Sequence, residues 1–219
     1  YRLVRVPDGA FVGVVLASGF RLIDTDKKRF VLGVTGASGS IYGARLLLHL
    51  RTMGCETHLV ASATAEKVCR FEGHPLPENV SAGTDGLPGC VVRHDEANFF
   101  APPASGSFRH GGMVIAPCSA GTVGRIAAGT ADTLLLRAAD VCLKERRPLI
   151  VVLRETPLSR IHLKNLLDIT DAGAIVVPAS PGFYNKPAGI DELVDGVLAR
   201  VLDLLRLPGH IAPRWKDED

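Results

Sequence analysis

Arg154-Glu155 directly follows Pro148-Leu-Ile-Val-Val-Leu153, the most strand-like run of the chain. A carboxylate held between basic groups at a strand end can pass protons, and the bases beside it can hold a phosphate. A purely structural ion pair is the competing reading. Two polar turns also follow apolar runs. Thr35-Gly-Ala-Ser-Gly-Ser-Ile-Tyr-Gly43 follows Phe30–Val34. Its glycines, among them Gly36, with Ala37 and Ser38, allow a tight turn whose N–H groups at a helix start can face an anion. Ser38 either donates to a ligand or caps the helix. Pro117-Cys-Ser-Ala-Gly-Thr122 reads as a second anion-accepting turn, with hydroxyls at Ser119 and Thr122, or as an ordinary capped helix start.

The densest charge cluster is Arg137-Ala-Ala-Asp-Val-Cys-Leu-Lys-Glu-Arg-Arg147. On a helix, Arg137, Asp140 and Lys144 share one face by i+3 and i+4 spacing. Glu145, Arg146 and Arg147 read as a solvated helix end. Several chemistries are excluded. The third glycine of the first turn falls at Gly43, one position late for a dinucleotide fingerprint, and Ala61-Ser62 lacks the acid that would bind an adenosine ribose. Gly36–Ser40 and Pro117–Gly121 each miss one glycine of a serine-hydrolase elbow. The seven histidines show no ligand spacing, so no metal site is expected. A mononucleotide suits these turns better than NAD.

The elements that must position these residues alternate. Strands are expected at 30–34, 56–62, 113–117, 148–153 and 174–178, with one more near Val91. Helices are expected to about Met53 and Phe71, over about 123–128 and 133–146, from Ser159 to Thr170, and over 190–207. This order implies an α/β fold, a Rossmann-like doubly wound parallel sheet in a flavodoxin-like three-layer sandwich. Ligands of such sheets sit at the carboxyl ends of the strands. The irregular stretch from Gly73 to Gly112 is long enough to be a functional loop. Hydrophobic residues make up 47% of the 219 and aromatics only 5%. That suits an aliphatic core under two helical layers.

Net charge is +2, from 25 basic and 23 acidic residues, which points to neither nucleic acid nor a membrane surface. Five scattered cysteines without a Cys-x-x-Cys pair suggest reduced thiols and a cytoplasmic setting. Residues 1–29 read as an N-terminal extension of unknown role, ahead of one domain over 30–219. The apolar part of that extension, Ala10 to Phe20, is too short to span a membrane.

Taken in order, the motifs resemble the flavin prenyltransferase family of the UbiX type. The matching stretches are Thr35–Gly39, Ala101-Pro-Pro-Ala-Ser-Gly-Ser107, Pro117–Thr122, Arg137–Val141, Leu143–Pro148, Arg154-Glu-Thr-Pro157, Ile161–Asn165, Pro181-Gly-Phe-Tyr184 and Pro213-Arg-Trp215. The resemblance implies transfer of a dimethylallyl group from its monophosphate to N5 and C6 of reduced FMN. The product, prenylated FMN, serves UbiD-type decarboxylases. Gly36, Ala37, Ser38, Ser62, Ser119, Thr122 and Arg137 would then hold FMN. Lys144, Arg154, Tyr184 and Arg200 would bind the prenyl phosphate, with Arg200 reaching over the apolar surface of its helix. Glu155 would shuttle protons, Ser38 and Glu72 would assist near the flavin, and Phe99 and Trp215 would form an aromatic wall. Many bacterial members carry a tryptophan before Ala-Pro-Pro, where this chain has Phe99 and Phe100; phenylalanine is a weaker cation–π partner. The family's site collects residues from neighbouring subunits, so a homo-oligomer, commonly of twelve chains, is implied.

Two rival readings share the scaffold. One is an FMN-binding decarboxylase of peptidyl or pantothenoyl cysteine, which relies on a catalytic histidine; Lys144, Arg154-Glu155 and Tyr184 together favour the prenyltransferase. The other is a flavin-binding decarboxylase subunit without catalysis.

Overall fold

A computed structural model describes residues 2–5, 11–15, 28–208 and 211–212. Strands β1 (Arg2–Arg5) and β2 (Phe11–Val15) pair antiparallel in a small sheet of their own. The main sheet has six strands: β3 (Arg29–Val34), β4 (Glu56–Ala61), β5 (Cys90–His94), β6 (Met113–Cys118), β7 (Leu149–Leu153) and β8 (Ile175–Pro178). All its pairings are parallel, in the order β5-β4-β3-β6-β7-β8. The chain winds outward from β3 to β5, then crosses back to β6 and winds the other way. A crevice therefore opens at the carboxyl ends of β3 and β6, where the winding reverses.

The apolar runs become central strands because both faces of the sheet are covered. Side chains alternate between two cores, as the period of two requires. Leu32, Val34, Val114, Ala116, Ile150 and Val152 point into one core, against Leu46 and Leu50 of α1 (Ser40–Thr52) and Leu198 and Val201 of α6 (Ile190–Leu204). The same core takes Ala65 and Cys69 of α2 (Ala63–Phe71). Val31, Met113, Ile115, Leu149 and Val151 point the other way, toward α3 (Ala120–Ala127), α4 (Leu134–Lys144) and α5 (Arg160–Asp171). The expected three layers are therefore present. Gly43 lets α1 lie close on β6, since a Cβ there would sit 2.6 Å from the Ala116 carbonyl oxygen.

Helices α2 to α5 each start on a hydroxyl cap: Ser62, Ser119, Thr133 and Ser159 accept from backbone N–H groups of Ala65, Thr122, Leu136 and His162. Helices α2, α3 and α5, which each follow a strand, thus start on a capped N-terminus at the carboxyl edge of the sheet. Helix α3 begins at Ala120, three residues before the expected start, because Ser119 caps it. The strand expected near Val91 is β5, an edge of the sheet, bridged on its outer side by Val80.

Candidate active site

Helix α1, like α6, begins without a hydroxyl cap. Its N-cap is Gly39, in the left-handed region at φ 94°, and a carboxylate from elsewhere serves it. Glu72, at the C-terminal end of α2, accepts from the Gly39 N–H at 3.1 and 3.0 Å and from the Ser40 N–H at 2.7 Å. Burial alone would raise its pKa. Hydrogen bonds from the Ser38 side chain and from the turn's N–H groups outweigh that and hold it to about 2. The Gly39 and Ser40 N–H groups of the glycine turn therefore face an internal carboxylate rather than a ligand anion. Ser38 and Glu72, distant in sequence, meet here.

The turns after β3 and β6 are tied together. Thr35 Oγ1 donates to the Pro117 carbonyl oxygen at 2.8 Å and accepts from the Ser119 N–H at 3.0 Å. Ser119 Oγ lies 3.0 Å from Thr122 Oγ1. Glu155 joins this group from the end of β7, its Oε2 3.3 Å from the Ala120 N–H at the start of α3. Arg154, exposed beside it, passes close to Gly39: a Cβ added there would lie 3.9 Å from Arg154 Cγ. Burial pushes the Cys118 thiol far up, so the cysteine of the second turn is no nucleophile at neutral pH. On the other side of the glycine turn, Gly36 packs so tightly on α2 that a Cβ would clash with Thr64 Cγ2 at 2.4 Å. Ser62 follows β4, and a cavity of about 590 Å³ opens beyond it, lined in part by Ala61, Ala63, Glu66, His94 and Thr133.

One subunit thus gathers Gly36, Ala37, Ser38, Ser62, Glu72, Ser119, Thr122, Arg154 and Glu155 along one edge. Tyr184 is exposed in the loop that follows β8 on the same edge. The N-termini of α1, α2 and α3 lie at this carboxyl edge, and no side chain fits at Gly36. This set of hydroxyls, N–H groups and dipole ends suits a mononucleotide phosphate and its ring.

Other expected residues lie elsewhere in the subunit. Arg137 on α4 donates from Nε to the Ala104 carbonyl oxygen at 3.1 Å and pairs with Asp140 at 2.6 Å. Lys144 ends α4, which runs away from the carboxyl edge; it pairs with Glu145 beside Gly106. Five residues of β7, about 17 Å of strand, separate that level from Arg154. Arg200 is about 15 Å along α6 from its first residue. It does not reach over apolar surface as expected: Val197, Leu198, Val201 and Leu202 are buried while Arg200 is 73% exposed and pairs with Asp203 at 3.2 Å. The reason is helical geometry, because residue 200 falls on the face opposite that stripe. Phe99 is 44% exposed and Phe100 fully so. Trp215 lies outside the described residues.

A polar cluster around the buried His58 went unforeseen in the sequence. Arg29 and Glu56 form a two-point pair, Glu56 meets His58, and His58 meets His94. The Glu-x-His spacing on a strand put Glu56 and His58 on one face, but their partner on β5 was not readable without the sheet order. Among the described residues, no helix is long and apolar enough to cross a membrane, and no group of three or more ligating side chains could hold a metal ion.

Comparison with known proteins gives one answer. The family pattern described as Flavoprotein matches residues 22–202. A flavin prenyltransferase UbiX of Deinococcus radiodurans is 47% identical over 191 residues, covering 87% of this chain and 95% of that one. The crystal structure of AnUbiX (PadA1) in complex with FMN and dimethylallyl pyrophosphate superposes with a TM-score of 0.77 at 41% identity, covering 88% and 99%. A dodecameric FMN-dependent UbiX-like decarboxylase from Escherichia coli O157:H7 does so at 0.73 and 41%, covering 86% and 99%.

Proposed function

This chain belongs to the Flavoprotein family and, within it, to the flavin prenyltransferases of the UbiX type, and from that premise we propose how its residues serve the reaction. The substrates are reduced FMN and dimethylallyl monophosphate, and the product is prenylated FMN. Reduced FMN supplies the nucleophilic N5 and C6 that accept the prenyl group. The crevice at the β3 and β6 turns holds it, through Gly36, Ala37, Ser38, Ser62, Ser119 and Thr122, with Arg137 in support.

Arg154 and Tyr184 hold the prenyl phosphate from one subunit, and charge-assisted contacts stabilise it as it leaves. Glu155 gives a proton to the departing phosphate and takes one as the fourth ring closes. Ser38 orients the ring under the fixed charge of Glu72. The observation that carries this reading is the meeting of Arg154, Glu155 and the glycine turn at one crevice, with Glu155 on the α3 N-terminus.

Lys144 and Arg200 complete the phosphate site from neighbouring copies. The length of β7, about 17 Å, which lies between the levels of Lys144 and Arg154 in one subunit, supports this, as does the dodecameric E. coli relative. The assembly is therefore a homo-oligomer, taken as twelve chains, working in the cytoplasm and handing its product to a UbiD-type decarboxylase. Turnover with reduced FMN and dimethylallyl monophosphate tests the reading, with prenylated FMN detected by its mass. FMN binding without any product would return the chain to a non-catalytic flavin carrier.

A further inference from the structure

The segment between β5 and β6, residues 95–112, carries Phe99 and Phe100, and both of its ends meet on one imidazole. His58, on β4, has a side chain only 5% exposed. Its Nε2 lies 2.7 Å from Glu56 Oε1, and its Nδ1 lies 2.8 Å from His94 Nε2. A carboxylate only accepts, so His58 donates from Nε2 and its Nδ1 is left as an acceptor. His94 must then donate from its own Nε2–H. Two hydrogen bonds in series thus run from the residue just before the segment to Glu56, which Arg29 holds at 2.8 and 3.1 Å.

The far end of the segment packs on the same ring. Phe108 meets His58 edge-on at 4.7 Å, His110 lies 5.7 Å from Phe108, and Arg29 stacks over Phe108 at 5.1 Å. Arg147 adds two bonds of 2.6 Å, to the carbonyl oxygens of Phe108 and Gly106. Burial pushes His94 and His110 each down to about 4, in keeping with neutral rings. Between these anchors Phe99 and Phe100 stand out toward solvent. We propose that the His94–His58 hydrogen bond and the Phe108 ring seated on His58 form a latch that sets the Phe99 loop, making His58 and His94 positioning residues for the prenyl group. The second half of this statement rests on the reading of Phe99 as the wall of the prenyl site.

Two substitutions at one position separate shape from hydrogen bonding. His94→Phe keeps a ring but loses the donor, leaving a buried acceptor on His58. His94→Gln keeps an N–H donor of similar reach. In the intact oligomer, amide hydrogen exchange over residues 97–108 should quicken about fivefold or more in His94→Phe, with the glutamine variant near wild type. The KM for dimethylallyl monophosphate should rise in step, while FMN affinity stays within about twofold. Unchanged exchange in His94→Phe, or equal loosening by both variants, overturns the latch. Faster exchange with an unchanged KM supports the latch and removes Phe99 from the prenyl wall. Should His94→Phe fail to fold, Phe108→Ala loosens the other end and is expected to give the same local pattern; slow exchange there overturns the proposal.

Discussion

Glu72 grips Gly39 through both carboxylate oxygens, at 3.1 and 3.0 Å, across 33 residues of chain. A helix N-terminus that starts on glycine has no cap of its own, and a remote carboxylate satisfies its N–H groups and its dipole. The charge fixed there is the nearest full negative charge to Ser38. It places a permanent anion, rather than a proton donor, beside the glycine turn.

Replacing Glu72 by Gln keeps an oxygen acceptor and removes the charge, so stability should fall by about 1 to 2 kcal/mol. The sign of the pH dependence follows from a folded pKa near 2, below the ordinary 4.5. The carboxylate's contribution is complete above about pH 4.5 and is lost as pH falls toward 2. Thermal midpoints of wild type and variant should differ by a constant amount at neutral pH and converge as the medium is acidified through pH 4. A difference that grows on acidification would contradict the assignment.

Glu155→Gln should leave FMN binding nearly intact, because its contact is to the α3 N-terminus rather than to the hydroxyls of the crevice. Formation of prenylated FMN should slow by about 10²-fold or more, as for loss of a general acid–base group. Stopped-flow turnover with reduced FMN measures it, and an unchanged rate would leave Glu155 a structural ligand of α3.

FMN should bind without added metal, and NAD should not compete with it. No acid follows β4 to hold an adenosine ribose, and the glycine turn closes on Glu72. A titration followed by flavin fluorescence decides this; NAD displacing FMN at equal concentration would refute it.

The period-two alternation of Val, Leu and Ile made the sheet and its layers legible, because a parallel sheet buried on both faces leaves little choice of residue. The turns were legible for the same reason: polar residues directly after buried strands have few places to go but the carboxyl edge. What sequence did not carry was pairing across elements. Glu72 reaches α1 from the end of α2, and His94 reaches His58 across two strands, so neither contact has a local pattern. Arg200 shows the converse. Its apolar neighbours in sequence suggested a buried course, but on a helix consecutive residues point about 100° apart, and it faces outward.

The phosphate clamp makes the strongest demand on the assembly. Lys144 and Arg154 belong to opposite ends of one subunit, and the strand between them is too long for a lysine to span. Arg200 lies well down α6, also away from the edge. If four groups surround one phosphate, the contact between copies joins the far end of one to the near end of another, which a closed symmetric assembly repeats at every site. Arg200→Ala should raise the apparent constant for the prenyl phosphate about tenfold or more, as for one charge-assisted hydrogen bond, with FMN affinity little changed. Complementation tests the geometry directly. Lys144→Ala and Arg154→Ala should each form nearly inactive oligomers. When the two chains are unfolded, mixed and reassembled, about a quarter of composite sites should draw an intact Lys144 from one chain and an intact Arg154 from the other. Activity should then reappear in proportion. If both residues came from a single subunit, no mixed site would be whole, and no recovery would be seen.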